Sequence, residues 1–194
     1  MRAPAELSAP GKAFLAGEYS VLEPGEPALV LAVDARLHAA VRELREQAVE
    51  LNHVPSGASV RGELGRDAVT WTSGIPGELR FAARATNFAA KVCAEEGLSP
   101  RGFSAAFQND LSHGGRKLGL GGSAASCVLA VRSTCAVQGR ELEAREIVSL
   151  AAAAHWVEQG GRGSGADVAA CASGGLVEVR SRFPWSAVDE VVHL

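Results

Sequence analysis

The run Lys117-Leu-Gly-Leu-Gly-Gly-Ser-Ala-Ala-Ser126 leads straight into a long Ala/Val/Leu segment. No other stretch limits the possible fold so strongly. Glycines let a backbone turn tightly and come close to a ligand. The start of the helix that follows offers unpaired N–H groups and the positive end of its dipole. Together these make an anion cradle, and a lysine stands at its entrance.

The helix is predicted over Ser123–Val137, with Ser123 at the N-cap. Around it the pattern changes period along the chain. Leu7 to Ala16 reads as strand, tight turn and strand, broken at Pro10-Gly11. Glu23-Pro-Gly-Glu-Pro27 is a second break, and Leu29 to Val41 reads as strand. Val49 to Thr72 reads as short strands separated by Pro55-Ser-Gly and Arg61-Gly. Phe81, Ala85, Phe88, Ala89 and Val92 then recur at helical spacing, ended by Gly97. Gly102 to Phe107 alternates as a strand, and Asn109 to Arg116 is a polar loop. A second helix is predicted over Glu141–Glu158, with Ile147, Leu150, Ala151 and Ala154 on one face. A short helix over Ala166–Ala172 and a strand over Leu176–Arg180 complete the pattern. Strands come mostly before helices, which predicts an α+β fold.

Bulk composition narrows the function. The chain has 194 residues, 47% hydrophobic and 21% charged, with a formal net charge of -3. That length can bury a core, and the charge disfavours a nucleic-acid binder. Cys93, Cys127, Cys135 and Cys171 lie among alanines and valines, in no C-x-x-C pair. They read as buried, reduced thiols. The N-terminus carries no signal-peptide core and no segment has the length of a membrane span. The chain is read as cytoplasmic, with a small-molecule substrate, no nucleic-acid partner and no membrane partner.

Several phosphate loops compete for Gly119 to Ala124. A Walker A loop needs a Gly-Lys-Ser/Thr triplet, and none occurs. Gly119, Gly121 and Ala124 satisfy a Rossmann variant, but that turn follows its strand at once, whereas here a polar loop intervenes. A kinase cradle of another type, with serine at the helix start, remains beside a plain turn and cap. Two further segments add chemistry. Lys12 follows Pro10-Gly11 and precedes an apolar strand. Asp167 stands at the mouth of a short apolar helix after Gly160-Gly-Arg-Gly-Ser-Gly165. Taken singly, the lysine reads as a solvated charge and the aspartate as a first-turn carboxylate on a helix dipole.

In this order, the three segments resemble the GHMP kinases. Pro10-Gly-Lys-Ala-Phe-Leu-Ala-Gly-Glu-Tyr19 is similar to the family's first motif, and Gly119-Leu-Gly-Gly-Ser-Ala-Ala125 to its ATP loop. Gly122 stands where the family commonly has the first of two serines. Within the family, Lys117-Leu-Gly-Leu-Gly121 and Ala154-His155 followed by Gln159-Gly-Gly-Arg-Gly-Ser-Gly-Ala-Asp-Val-Ala169 are similar to the phosphomevalonate kinase branch.

The resemblance implies the N-terminal domain of that fold, of the ribosomal protein S5 domain 2-like type, with a mixed sheet packed on helices. It also implies a second, C-terminal domain, so residues 1–194 are expected to be the N-terminal ATP-binding portion. The implied ligands are ATP, Mg²⁺ and 5-phosphomevalonate. ATP is expected at Lys117, Gly119, Leu120, Gly121, Gly122, Ser123, Ala124 and Ala125, and Mg²⁺ at Ser123. The acceptor is expected near Lys12, Glu18, Tyr19, Ser164, Gly165 and Asp167, with Arg116 and Arg162 as further cations. Lys12, Lys117 and Asp167 are the implied catalytic groups. Another GHMP kinase, with mevalonate kinase ahead of homoserine kinase, is the first alternative. A non-catalytic nucleotide-binding fragment is the second.

Overall fold

The computed structural model describes residues 5–109, 111–113, 116–182 and 186–193. In chain order the strands and helices are β1 (Ala5–Ala16), β2 (Pro27–Glu43), β3 (Ala48–His53), β4 (Ala58–Leu64), β5 (Val69–Trp71), α1 (Arg80–Glu95), β6 (Phe103–Asn109), β7 (Ser112–His113), β8 (Arg116–Lys117), α2 (Gly122–Gln138), α3 (Ala144–Glu158), α4 (Ala166–Ser173), β9 (Leu176–Arg182) and β10 (Ser186–His193). Eight of the strands form one sheet, and β7 and β8 pair separately.

β2 organises the sheet because it is long enough to serve three partners. Along one edge it pairs with β1. Along the other, its first half takes β9 and its second half takes β6, all antiparallel. The pairing of β3 with β6 is parallel, so the sheet is mixed. Alternation decides which face is covered. Leu37, Ala39 and Val41 of β2 are buried, while His38, Ala40 and Arg42 between them are exposed. The buried set meets Val49 and Leu51 of β3, Phe103 and Ala105 of β6, and the apolar sides of α1 and α2. Each large side chain removed from water there contributes roughly 1.5–3 kcal/mol.

α2 is buried on nearly every side, Ala124 through Val131 included apart from Ser126. A helix apolar all round belongs in the middle of a core, and α2 lies against the sheet and against α1, α3 and α4. A smaller cluster of Val21, Val30, Val148, Ala169, Ala170, Val177 and Val179 fastens α4 onto β2 and β9. The two clusters thus bring the first turns of α2 and α4 to the same end of the molecule. All four cysteines are buried free thiols. Among the described residues no helix is long and apolar enough to cross a membrane.

Two predicted details differ. The Pro10-Gly11 turn is absent, and β1 runs through it unbroken. The register slips there instead, Pro10 facing Arg36 and Gly11 facing Val33, so β2 carries the irregularity. A bulge tolerates a proline, which has no N–H to give the ladder. The second helix starts at Ala144 rather than Glu141, because Glu143 and Glu146 exchange side-chain-to-backbone bonds in a capping box. At the apolar end of the chain β10 runs antiparallel beside β9.

Candidate functional site

Lys12 is positioned by the strand and by the cradle together. Its N–H donates to Leu120 O at 2.9 Å. The approach is close because Gly11 has no side chain: a Cβ there would stand 2.7 Å from Leu120 O. Beyond the backbone, the Lys12 stem crosses Gly121, where a Cβ would stand 2.7 Å from Lys12 Cγ. The ammonium then lies over the Phe14 ring, 4.8 Å from its centroid, a favourable cation–π geometry.

The cradle itself turns at Gly121, whose φ of 79° is left-handed. That residue, not Ser123, is the N-cap of α2, which corrects the predicted cap. The first hydrogen bond of the helix runs from Ala125 N–H to Gly121 O at 3.0 Å. The N–H groups of Gly122, Ser123 and Ala124 therefore precede the intrahelical ladder and face outward from the helix start. Ala125 has already committed its N–H. Gly119 has open space around its Cα, with nothing within 4 Å of a would-be Cβ.

Freed from capping, the Ser123 hydroxyl turns to α3. Its Oγ is 3.1 Å from His155 Nε2. The same nitrogen is 3.9 Å from Asp167 Oδ2. Asp167 sits in the first turn of α4, two residues after its left-handed cap Gly165, and its Oδ1 accepts the Val168 N–H at 2.9 Å. Ser164 Oγ accepts the Ala166 N–H at 3.3 Å and shapes the entry to that helix. The His155 side chain is 4% exposed and Asp167 22%. Burial pushes the imidazole pKa down, Asp167 pulls it up and Lys12 pushes it down again. Burial raises the Cys171 thiol pKa, Asp167 raises it further, and Lys12 opposes both. The ammonium and the carboxylate are thus felt at the same two buried groups. Among the described residues no ion pair within 4 Å joins them directly.

Lys12, Gly119 to Ala124 and Asp167 therefore share one end of the fold. Other predicted residues stand apart or outside the description. Glu18 and Tyr19 follow β1 and are exposed, Tyr19 at 80%. No hydrogen bond or ion pair among the described residues ties either to the cradle. Arg162 is exposed on the glycine loop. The side chains of Arg116 and Lys117 lie outside the described residues. Sequence reasoning singled out neither Phe14, under the ammonium, nor Phe81, whose ring stacks on His155 at 4.9 Å. In the sequence His155 is marked only as part of the Ala154-His155 motif, with no role given to it in the site.

The residues present suit a nucleotide and its cation. Unladdered N–H groups beside a lysine and an open glycine are complementary to phosphate oxygens. A hydroxyl beside them fits a hard cation that takes most of its ligands from water and phosphates. Among the described residues no group of three or more His, Cys, Asp or Glu side chains could hold a metal on its own.

Residues 82–175 match the family described as GHMP kinases N terminal domain. The phosphomevalonate kinase of Streptomyces sp. (strain CL190) is 30% identical over 87% of this chain and 47% of its own length. The mevalonate kinase of Aeropyrum pernix is 30% identical over 93% of this chain and 52% of its own. The Streptococcus pneumoniae phosphomevalonate kinase, solved in complex with phosphomevalonate and AMPPNP, superposes with a TM-score of 0.77. It is 22% identical, over 91% of this chain and 50% of that one. The chain spans about half the length of the curated relatives it matches.

Proposed function

This chain carries the N-terminal domain of the GHMP kinases, and on that premise we propose that it forms the ATP-binding part of a phosphomevalonate kinase. The reaction would move the γ-phosphoryl group of ATP to 5-phosphomevalonate, giving ADP and 5-diphosphomevalonate. One observation carries the reading. The Lys12 stem lies against Gly121 of the cradle, while His155 links Ser123 of the same cradle to Asp167. A cation, an amide-lined turn and a carboxylate thus meet at one site.

Phosphoryl transfer asks the protein mainly for positioning and charge stabilisation. The N–H groups of Gly122, Ser123 and Ala124 hold phosphate oxygens of the nucleotide. Lys12 offsets the charge that builds on the transferring group. Ser123 would hold Mg²⁺ through its hydroxyl oxygen, and the ion would supply neutralisation of phosphate charge. Asp167 orients the acceptor side. A phosphate acceptor has its second pKa near 6 and is mostly ionised at neutral pH, so little proton removal is asked of Asp167. By resemblance and sequence position, Lys117, Arg116 and Arg162 are the cations that would suit an anionic acceptor. Ser164 and Gly165 shape the approach to Asp167, and Glu18 and Tyr19 are placed toward the acceptor by resemblance.

Both phosphomevalonate and mevalonate kinases stand among the relatives at the same identity. Mevalonate kinase is accordingly the second reading, with Asp167 then a base toward a hydroxyl. The test is turnover by the complete enzyme with Mg²⁺, ATP and each acceptor in turn. ADP release with 5-phosphomevalonate and not with mevalonate supports the first reading. The reverse replaces it with the second. Tight ATP binding with no ADP from any acceptor leaves a nucleotide-binding module.

A further inference from the structure

We propose that His155 is a positioning residue that ties the nucleotide side of the site to the acceptor side through one buried ring nitrogen. The inference rests on the kinase reading for what the two sides hold, but its geometry belongs to this chain alone.

The ring is held from behind. It projects from the last turn of α3 and stacks on Phe81 of α1, with centroids 4.9 Å apart and planes inclined by 34°. Its exposure is 4%, so packing fixes where Nε2 points. That atom lies 3.1 Å from Ser123 Oγ and 3.9 Å from Asp167 Oδ2. The first distance is a hydrogen bond. The second is too long for one, yet close enough for the carboxylate to attract the ring.

A histidine serving only the core needs a partner for its polar edge, and any backbone carbonyl would do. Here the two groups meeting that edge are side chains from the first turns of two different helices, α2 and α4. Each of those turns follows a left-handed glycine, Gly121 and Gly165. The ring therefore registers the two turns against each other. It also restricts the Ser123 hydroxyl to one rotamer, which leaves the oxygen's remaining hydrogen-bonding capacity aimed away from α3. A ligand that draws Ser123 outward weakens the bond to Nε2 and leaves the Asp167 carboxylate, 3.9 Å away, as the other side chain facing that fixed nitrogen. Occupancy of the cradle is thereby transmitted to the carboxylate.

The test uses the complete enzyme and four variants: His155→Leu, His155→Gln, Ser123→Ala and the double variant His155→Leu/Ser123→Ala. ATP binding is followed by calorimetry, with and without Mg²⁺, beside kcat and KM for ATP and acceptor and the melting temperature. His155→Leu is expected to lower ATP affinity or kcat by about 10- to 100-fold, the size seen when a group that orients a ligand-holding side chain is removed. His155→Gln, whose amide can still reach Ser123, should recover most of that loss. The double variant should be no worse than the poorer single one, because both changes cut the same link. Equal losses from Leu and Gln, strictly additive effects, or a melting shift with kcat and binding intact would each overturn the proposal.

Should His155→Leu fail to fold, the wild-type ring supplies a second readout. Its ¹⁵Nε2 resonance, assigned with His155→Gln, should move on adding ATP. An unmoved resonance at saturating ATP counts against the link. Because binding and the ring resonance need no turnover, they judge the role of His155 even if no acceptor yields ADP, an outcome that would instead sink the kinase reading.

Discussion

The aliphatic stem of Lys12 occupies the space that a side chain on residue 121 would need, with Lys12 Cγ 2.7 Å from an ideal Cβ. The lysine and the glycine turn are therefore one device. The glycine gives the backbone its φ of 79° and also makes room for the cation. Placing both motifs on this contact explains why segments far apart in sequence act on one site.

Gly121→Ala should consequently do more harm than its backbone strain alone. Gly25, with a φ of 84° and nothing within 4 Å of a Cβ, is the matched control. Forcing a non-glycine residue into the left-handed region costs roughly 1–2 kcal/mol, or a fall in melting temperature of roughly 2–8 °C for a chain of this size. Both variants should show that fall. Only Gly121→Ala should also weaken ATP binding, by about tenfold or more, since it moves the cation proposed to meet phosphate. Titration of both variants with ATP in the complete enzyme checks this, and equal affinities would refute it.

Lys12→Met keeps the stem on Gly121 while removing the charge. Its expected signature is a loss of kcat of about 100-fold or more, the scale of a lost transition-state contact, with the melting temperature almost unchanged. Asp167→Asn should cost less in kcat, because the proposed acceptor needs little deprotonation. Steady-state kinetics on the two complete enzymes decides between them. A larger loss for Asp167→Asn would assign the carboxylate a base role and favour a hydroxyl acceptor.

Stability should respond to acid in two separable steps. The first comes from His155, whose folded pKa is held below the ordinary 6.5, chiefly by burial. Above 6.5 the ring is neutral in both folded and unfolded chains and adds no slope. Below it the unfolded chain takes up a proton that the fold resists, so stability falls as pH drops toward the depressed value. The second step involves Glu96, whose carboxyl Arg140 holds below its ordinary 4.5. Its contribution is complete above 4.5 and is lost as pH falls through the lowered value. Urea unfolding of wild type and His155→Gln between pH 7.5 and 5, values chosen about the ordinary imidazole pKa, should show the variant with the flatter slope. A steeper variant would contradict the assignment.

Much of this was legible from local signals. The period-3.6 runs marked α1 and α3, and the glycine loop with the apolar run behind it marked α2, because both depend on neighbours a few residues away. What escaped was set by distant partners. Pro10-Gly11 carries a turn signal, yet the slippage is absorbed by β2 across the ladder. Ser123 has the chemistry of an N-cap, but the left-handed Gly121 starts the helix earlier and leaves the hydroxyl to His155. Nothing local in α3 reveals that its last turn ends beside the first turns of α2 and α4. Helix packing alone creates that proximity, and with it the arrangement of the candidate site.

Arg140 offers a test of the packing that holds those helices together. Its guanidinium makes a two-pronged pair with Glu96, both bonds 2.6 Å, and reaches Glu146 Oε1 at 2.8 Å. Glu96 caps the end of α1, Glu146 belongs to the capping box of α3, and Arg140 follows the C-cap of α2. One planar side chain thus joins three helix ends. The carboxylates are 46% and 42% exposed, so water and salt screen the pairs and their worth is moderate. Arg140→Met should lower the melting temperature by roughly 2–4 °C, with ATP binding unaffected because the cradle lies at the opposite end of α2. Arg140→Lys should recover little, since a point charge cannot reproduce the fork. The loss should shrink in high salt, measured as the difference between wild type and variant at each ionic strength. A lysine variant as stable as wild type would show that charge alone suffices at this junction.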